Sequence, residues 1–260
     1  MLKGQVAVVT GSAVGIGAGI ALGLAACGVD IVALDIDHRA NAQLAAQVRA
    51  LGVRALAIDC DVGDRVQVQR AFKAAVDEYG RIDILINNAA VWLNCALTTG
   101  TYESQTEAFA QSLNICALGS FYCARAAVPA MVQGGGGNII NIVTEHIKEG
   151  HYITGMPASG YDCAKFSQWR LTETWAVELR KHNIRVNALC FGATDTPMLR
   201  AVSAAIADAG MKTADLAAAV INVLSHGANG PTGQSYLFGV SGTPRQESLR
   251  QIEAFAPPGG

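Results

Sequence analysis

The sequence predicts one α/β domain, a doubly wound sheet of seven parallel strands with helices on both faces. Two observations carry this prediction. Short β-rich apolar runs recur along the chain, and longer segments with apolar residues at helical spacing separate them. Parallel strands need crossover connections, and a sheet covered on both faces needs near-continuous apolar strand sequence, so this alternation fits no other layer arrangement as well.

The strand runs lie at residues 6–9, 31–34, 55–58, 82–86, 139–143, 184–189 and 236–238. Helical spacing occupies residues 20–27, 66–79, 109–131, 159–182 and 213–224. At 260 residues the chain is long enough for one large fold with a sizeable core. No repeat or charge block marks a second domain, so residues 1–260 read as one unit. The four glycines 134–137 read as a turn between helix and strand. Residues 243–260 read as a tail, with a short helical segment at 246–255 before Pro257-Pro258-Gly259-Gly260, draped over the body or reaching a neighbouring subunit.

Composition removes several function classes. Hydrophobic residues make up 51% of the chain, but they come in short runs, and none reaches the length of about eighteen that a membrane crossing needs. Met1-Leu2-Lys3-Gly4-Gln5 leads directly into the first strand, without the layout of a signal peptide, so the cytoplasm is the expected location. The seven cysteines include no Cys-x-x-Cys pair and read as reduced. A net charge of -2 with no basic run argues against nucleic acid as a partner. The five histidines are dispersed, so no metal site is expected.

Thr10-Gly11-Ser12-Ala13-Val14-Gly15-Ile16-Gly17 joins the first strand to a helix. Glycines here permit a tight turn, allow the backbone to approach a pyrophosphate, and leave helix N–H groups facing it. Asp35 closes the second strand, where a carboxylate accepts hydrogen bonds from the adenosine ribose and repels a 2′-phosphate, a preference for NAD. Val14 supplies no compensating positive charge, and Arg39 reads as a solvated residue at a helix start. Tyr161 and Lys165 stand at i and i+4, on one helix face, where the ammonium stabilises a phenolate and fits the tyrosine for proton exchange.

The 10–17 segment resembles the TGxxxGIG motif of the short-chain dehydrogenase/reductase family, and the likeness spans nearly the whole chain. Asp61-Val62 resembles the family's adenine-capping pair, and Asn87-Asn88-Ala89-Ala90 its NNAG motif, with Ala90 in place of glycine. Tyr161-Asp162-Cys163-Ala164-Lys165 resembles its catalytic YxxxK pair. The resemblance implies a Rossmann-type fold and a catalytic set of Asn114, Thr144, Tyr161 and Lys165, with Asn114 holding a relay water. Thr144 stands where the family has serine, keeping the hydroxyl while its methyl narrows the pocket. It implies NAD contacts from Gly11, Ser12, Val14, Gly15, Ile16, Gly17, Asp35, Asp61, Val62, Asn88, Tyr161 and Lys165. Residues 190–197 resemble the PG-x-x-x-T segment, which adds Thr194 and Thr196 at the carboxamide; Phe191 replaces the proline. A homo-oligomer, tetramer or dimer, is implied through helices 109–131 and 159–182.

The implied reaction is hydride transfer between NAD(H) and a secondary alcohol or ketone, with a small cyclic, aromatic or hydroxylated substrate. Two alternatives stay open: a sugar or polyol dehydrogenase, and a non-catalytic NAD(H)-sensing module. The 145–155 loop is long and polar, offering His146, His151 or Tyr152 to a hydroxylated substrate. The 197–213 stretch is shorter than the family's lid, suggesting a more open site, and Trp92, Leu93 and Met198 are candidate apolar walls.

Overall fold

The structure is a computed structural model and describes residues 2–147, 157–227, 229–238 and 250–251. Its strands are β1 (Val6–Thr10), β2 (Asp30–Asp35), β3 (Ala55–Asp59), β4 (Ile84–Asn87), β5 (Gly137–Thr144), β6 (Ile184–Phe191), β7 (Ser235–Phe238) and β8 (Arg250–Gln251). They form one sheet in the order β3-β2-β1-β4-β5-β6-β7-β8. The first seven pair in parallel, as the sequence predicts.

β8 corrects the expected helical segment at 246–255. Arg250 and Gln251 pair antiparallel with Leu237 and Tyr236. Without them β7 would be an open edge with unpaired N–H and C=O groups, and pairing those groups outweighs the weak helical tendency of a short segment. The rest of the expected tail lies outside the described residues.

The helices are α1 (Gly15–Ala26), α2 (His38–Ala50), α3 (Arg65–Tyr79), α4 (Tyr102–Ser112), α5 (Gly119–Gln133), α6 (Ser159–Leu179), α7 (Pro197–Val202), α8 (Ala204–Asp208) and α9 (Thr213–Leu224). Strand side chains alternate between faces, as the two-residue period of a strand demands. Ala7, Val9, Ile84, Ile86 and Ile140 pack against Ile20 and Leu24 of α1 and Val220 and Leu224 of α9. Val6, Val8, Leu85 and Ile139 turn the other way, onto Phe72 of α3, Met131 of α5 and Trp175 of α6.

The helix expected at 109–131 is α4 and α5 joined by one π-helical turn, Leu113–Leu118. The run Tyr102–Gln133, 32 residues long, contains an 18-residue stretch of mean hydropathy 1.5, long and apolar enough to cross a membrane. Within this fold it is a core helix, with Cys116, Cys123, Ala127 and Met131 fully buried. The strand order reverses between β1 and β4, so connections leave those strands in opposite directions and a crevice opens beyond their carboxyl ends.

Ile140→Ala on the central strand β5 removes a fully buried side chain. The expected loss is about 2–5 kcal/mol, read as a lower urea midpoint at unchanged slope; an unchanged midpoint would contradict this core assignment.

Candidate active site

The crevice is a cleft of about 510 Å³ along the carboxyl edge of the sheet. One end is built by the glycine turn. Gly11 and Gly15 both have φ of 60°, a conformation in which side-chain-bearing residues are strained. A Cβ on Gly17 would lie 2.1 Å from the Gly11 carbonyl oxygen, so this glycine is needed for α1 to pack on the turn. Gly11, Val14, Gly15 and Ile16 line the cleft. No side chain caps the start of α1, and its first turn carries no acidic residue, so its N–H groups and positive dipole end remain available to an anion.

Asp35 lines the same end and ties β2 to the turn, accepting from Ala13 N at 2.8 Å and from Asp37 N at 3.0 Å. A carboxylate has about four acceptor positions, so it retains capacity for ribose hydroxyls. Asp61 accepts from Gly63 N at 2.8 Å, and Cys60, Asp61, Val62 and Ile36 wall the slot beside it. Asn88 lines the cleft while its amide donates to the carbonyls of Thr10 and Gly11, both at 2.9 Å, clamping β4 to the turn. This end fits a dinucleotide: an uncapped helix start for the pyrophosphate, and a carboxylate at the ribose position.

Ser12 and Gly17 are the exceptions among the expected cofactor contacts. The Ser12 hydroxyl points inward between two acceptors, Asn41 Oδ1 at 2.9 Å and Leu34 O at 3.2 Å, and its side chain is fully buried. Its backbone N–H is also taken, by Leu34 O. Ser12 therefore braces the turn from behind, and neither it nor Gly17 lines the cleft. Arg39 is an exposed residue of α2, as read from the sequence.

At the other end Thr144, Tyr161 and Lys165 converge on the cleft. Thr144 ends β5, and its Oγ1 accepts from His146 N at 3.4 Å while its hydroxyl bonds the Tyr161 phenol. The α6 register places Tyr161 and Lys165 on one face, with the ammonium 5.8 Å from the phenol ring centroid. Lys165 is 2% exposed, and its Nζ donates to Ile142 O at 2.6 Å and Gln168 Oε1 at 3.0 Å.

Burial pushes the Tyr161 phenol above its ordinary value, and the Thr144 hydrogen bond opposes it only in part. The sequence reading expected Lys165 to hold that phenol low. In the structure the ammonium is drawn to acceptors on β5 and α6, and desolvation dominates. Burial likewise pushes Lys165 down and the Cys190 thiol up to about 12.

Asn114 does not join this group. Its Nδ2 donates to Gly63 O at 3.3 Å, and it is not among the cleft-lining residues. It lies in the π turn, which changes the helix phase, and the side chain within electrostatic reach of Lys165 and Tyr161 is Cys116. Thr196 caps α7, accepting from Leu199 N at 3.3 Å, and Thr194 donates to Gly192 O at 3.0 Å; both line the cleft.

Trp92 walls the chemical end with its ring 4.7 Å from that of Tyr161, and Met198 is a second wall, whereas Leu93 does not reach the cleft. His146 packs edge-on against Trp92, and its Nδ1 pairs with Asp162 at 2.7 Å. His151 and Tyr152 lie outside the described residues. The short 197–213 stretch is not an open gap: α7 and α8 bring Leu199, Val202 and Ile206 over the cleft. Asp195, held down to about 2 by hydrogen bonds from Arg200 and then Lys212, anchors these helices. Phe191 packs on Phe238 with ring centroids 5.1 Å apart. Sequence reasoning missed Gln168 and Cys116; the one-turn spacing of Gln168 from Lys165 was the available signal for the first.

A family profile described as short chain dehydrogenase matches residues 5–207. An Escherichia coli K12 protein named uncharacterized oxidoreductase YohF is 34% identical over 250 residues, covering 90% of this chain and 93% of that one. The crystal structure of acetoin dehydrogenase YohF from Salmonella typhimurium is 33% identical, with a TM-score of 0.77, over 90% of this chain and 93% of its own. That of an NAD+-bound xylitol dehydrogenase is 25% identical, with a TM-score of 0.81, over 93% and 99%.

The burial of Tyr161 sets an expectation for the protein alone. An ordinary tyrosine is half ionised near pH 10. The ultraviolet titration of wild type minus Tyr161→Phe should show no ionisation step at or below that pH. A step near neutrality would show that the ammonium outweighs burial.

Proposed function

This chain belongs to the short-chain dehydrogenase/reductase family, enzymes acting on CH-OH groups with a nicotinamide cofactor, and we propose that it uses NAD(H) to interconvert a small hydroxylated secondary alcohol and its ketone. The observation that carries the reading is a single cleft with Asp35 at one end and Thr144, Tyr161 and Lys165 at the other. Asp35 favours NAD(H), because a 2′-phosphate beside a carboxylate meets like-charge repulsion. Gly11, Gly15 and Ile16 with the start of α1 would hold the pyrophosphate, Asp61 and Val62 the adenine, and Thr194 and Thr196 the carboxamide.

When bound, the nicotinamide supplies the hydride acceptor or donor. Thr144 orients the substrate oxygen through its hydroxyl. Tyr161 Oη takes the alcohol proton in the oxidation direction and returns it in reduction. Lys165, together with the positive nicotinamide ring when NAD+ is bound, would supply the charge that favours the phenolate against its burial in the protein alone, and an N–H donor for the nicotinamide ribose. Trp92 and Met198 confine a small substrate.

A polyol or sugar substrate is the second reading, favoured by the His146–Asp162 pair beside Trp92 and by the likeness to xylitol dehydrogenase. The acetoin dehydrogenase relative supports a small hydroxyketone. A non-catalytic NAD(H) sensor is disfavoured because such a module needs no phenol, ammonium and hydroxyl converging on one point. Exposed Leu118 and Phe121, and exposed Phe166 and Val177 of α6, support a homo-oligomer, tetramer or dimer, formed through these helices. Seven unpaired cysteines suit the cytoplasm.

Initial rates at the reduced-nicotinamide absorbance band, with NAD+ and NADP+ against small diols, polyols, hydroxyketones and cyclic alcohols, test the reading. Turnover should favour NAD+, and Tyr161→Phe should lower kcat by about 100-fold or more while NADH binding is retained. Wild-type turnover preserved in Tyr161→Phe would remove the phenol from the reaction.

A further inference from the structure

Lys165 is a buried cation without a carboxylate partner among the described residues: both acceptors recorded on its Nζ, Ile142 O and Gln168 Oε1, are neutral. Taking an ammonium out of water costs several kcal/mol unless fixed dipoles replace the water. Ile142 supplies one such dipole from the end of β5. The other comes from Gln168, one turn beyond Lys165 on α6 and fully buried.

The orientation of the Gln168 amide is decided by its neighbours. Its Nε2 lies 3.2 Å from Asn87 O, a carbonyl that can only accept. It lies 2.8 Å from Ser120 Oγ, whose proton is committed to Cys116 O at 2.7 Å. Reversing the amide would set oxygen against the Asn87 carbonyl and an NH2 group against the ammonium. Gln168 Oε1 is thus locked toward Lys165. No other group bonds this oxygen among the described residues, and a purely apolar side chain would fill the same volume.

We propose that Gln168 is a positioning residue: its fixed carbonyl keeps Lys165 charged and holds Nζ at the cleft, with one N–H left to present there. The inference rests on the reading of Tyr161 and Lys165 as the reacting pair. Loss of the carbonyl lets the buried ammonium shed its proton more readily, and the nearby phenolate loses positive charge. Among the described residues, the other ionisable groups recorded around Lys165 are Tyr161 on its own helix, Cys116 from the π turn and Cys190 from β6; Asp162 acts on Tyr161, and the His146 ring faces it at 6.1 Å. Neither thiol can take over as an acidic partner, since burial raises both.

The test is the pH dependence of Lys165 labelling by a small amine-reactive anhydride, read by mass spectrometry of the peptide carrying it, in wild type, Gln168→Leu, Gln168→Met and Gln168→Glu. Leu and Met should label about tenfold faster at pH 7, as expected for a pKa lowered by one unit. Glu, which keeps an acceptor oxygen, should label as slowly as wild type. In turnover, the acid limb of kcat should move to higher pH in Leu and Met by a similar amount, with KM for NAD+ changing less. Met keeps the length of the side chain and decides the matter if Leu does not fold. Unchanged labelling and an unmoved limb in folded Met protein would overturn the proposal. Shifted labelling in a protein whose wild type turns over no alcohol or ketone would instead overturn the reaction assignment and leave the positioning role intact.

Discussion

The burial of one ammonium at the carboxyl edge of the sheet is the constraint around which the chemical end is assembled. Lys165 is tolerable there because strands and helices supply acceptors before any ligand arrives. Its supports extend well beyond it. Asn87 and Asn141 stand opposite each other on β4 and β5, and Asn87 Nδ2 donates a hydrogen bond to Asn141 Oδ1 at 2.9 Å. Asn141 donates onward to Thr172 Oγ1, and Thr172 donates to Gln168 O one helical turn back. The sheet register therefore fixes the height of α6, and α6 fixes Tyr161 and Lys165 relative to Thr144. A strand slipped by one residue would exchange the faces of its side chains and dissolve this network.

The cofactor end follows a complementary logic. Its positive element is the bare start of α1, and its negative element is Asp35, separated by the span of the glycine turn. The link from Thr10 to Asn88 and Ala89 closes the seam between β1 and β4, where the strand order reverses. One chain reversal thus gives the cleft its position, while the two ends give it opposite electrostatic character.

Much of the fold was legible because strand and helix periods are local: continuous burial in β1, β4 and most of β5 repeats the apolar runs almost residue by residue. The glycine turn, Asp35 and the Tyr161/Lys165 spacing were legible for the same reason, since each uses positions close in sequence. What was hidden depends on distant partners. α2 buries a narrow face of Leu44, Ala45 and Val48 among mostly polar residues, and its place is completed by the Asp37 cap and by buried Asn41, which bonds Ala33 O. Asn114 was assigned by resemblance alone, and its side chain, in the π turn, donates to Gly63 O. Ser12 faces inward because Leu34 and Asn41 claim it, which no motif records. β8 forms because β7 leaves an edge to be paired.

The most direct test of the central claim is a crystal structure of the protein with NADH. The account predicts the pyrophosphate at the start of α1, the adenosine ribose on Asp35, and Lys165 reaching the nicotinamide ribose while it keeps Ile142 O and Gln168 Oε1. Cofactor bound elsewhere, or Lys165 swung away from both acceptors, would contradict it.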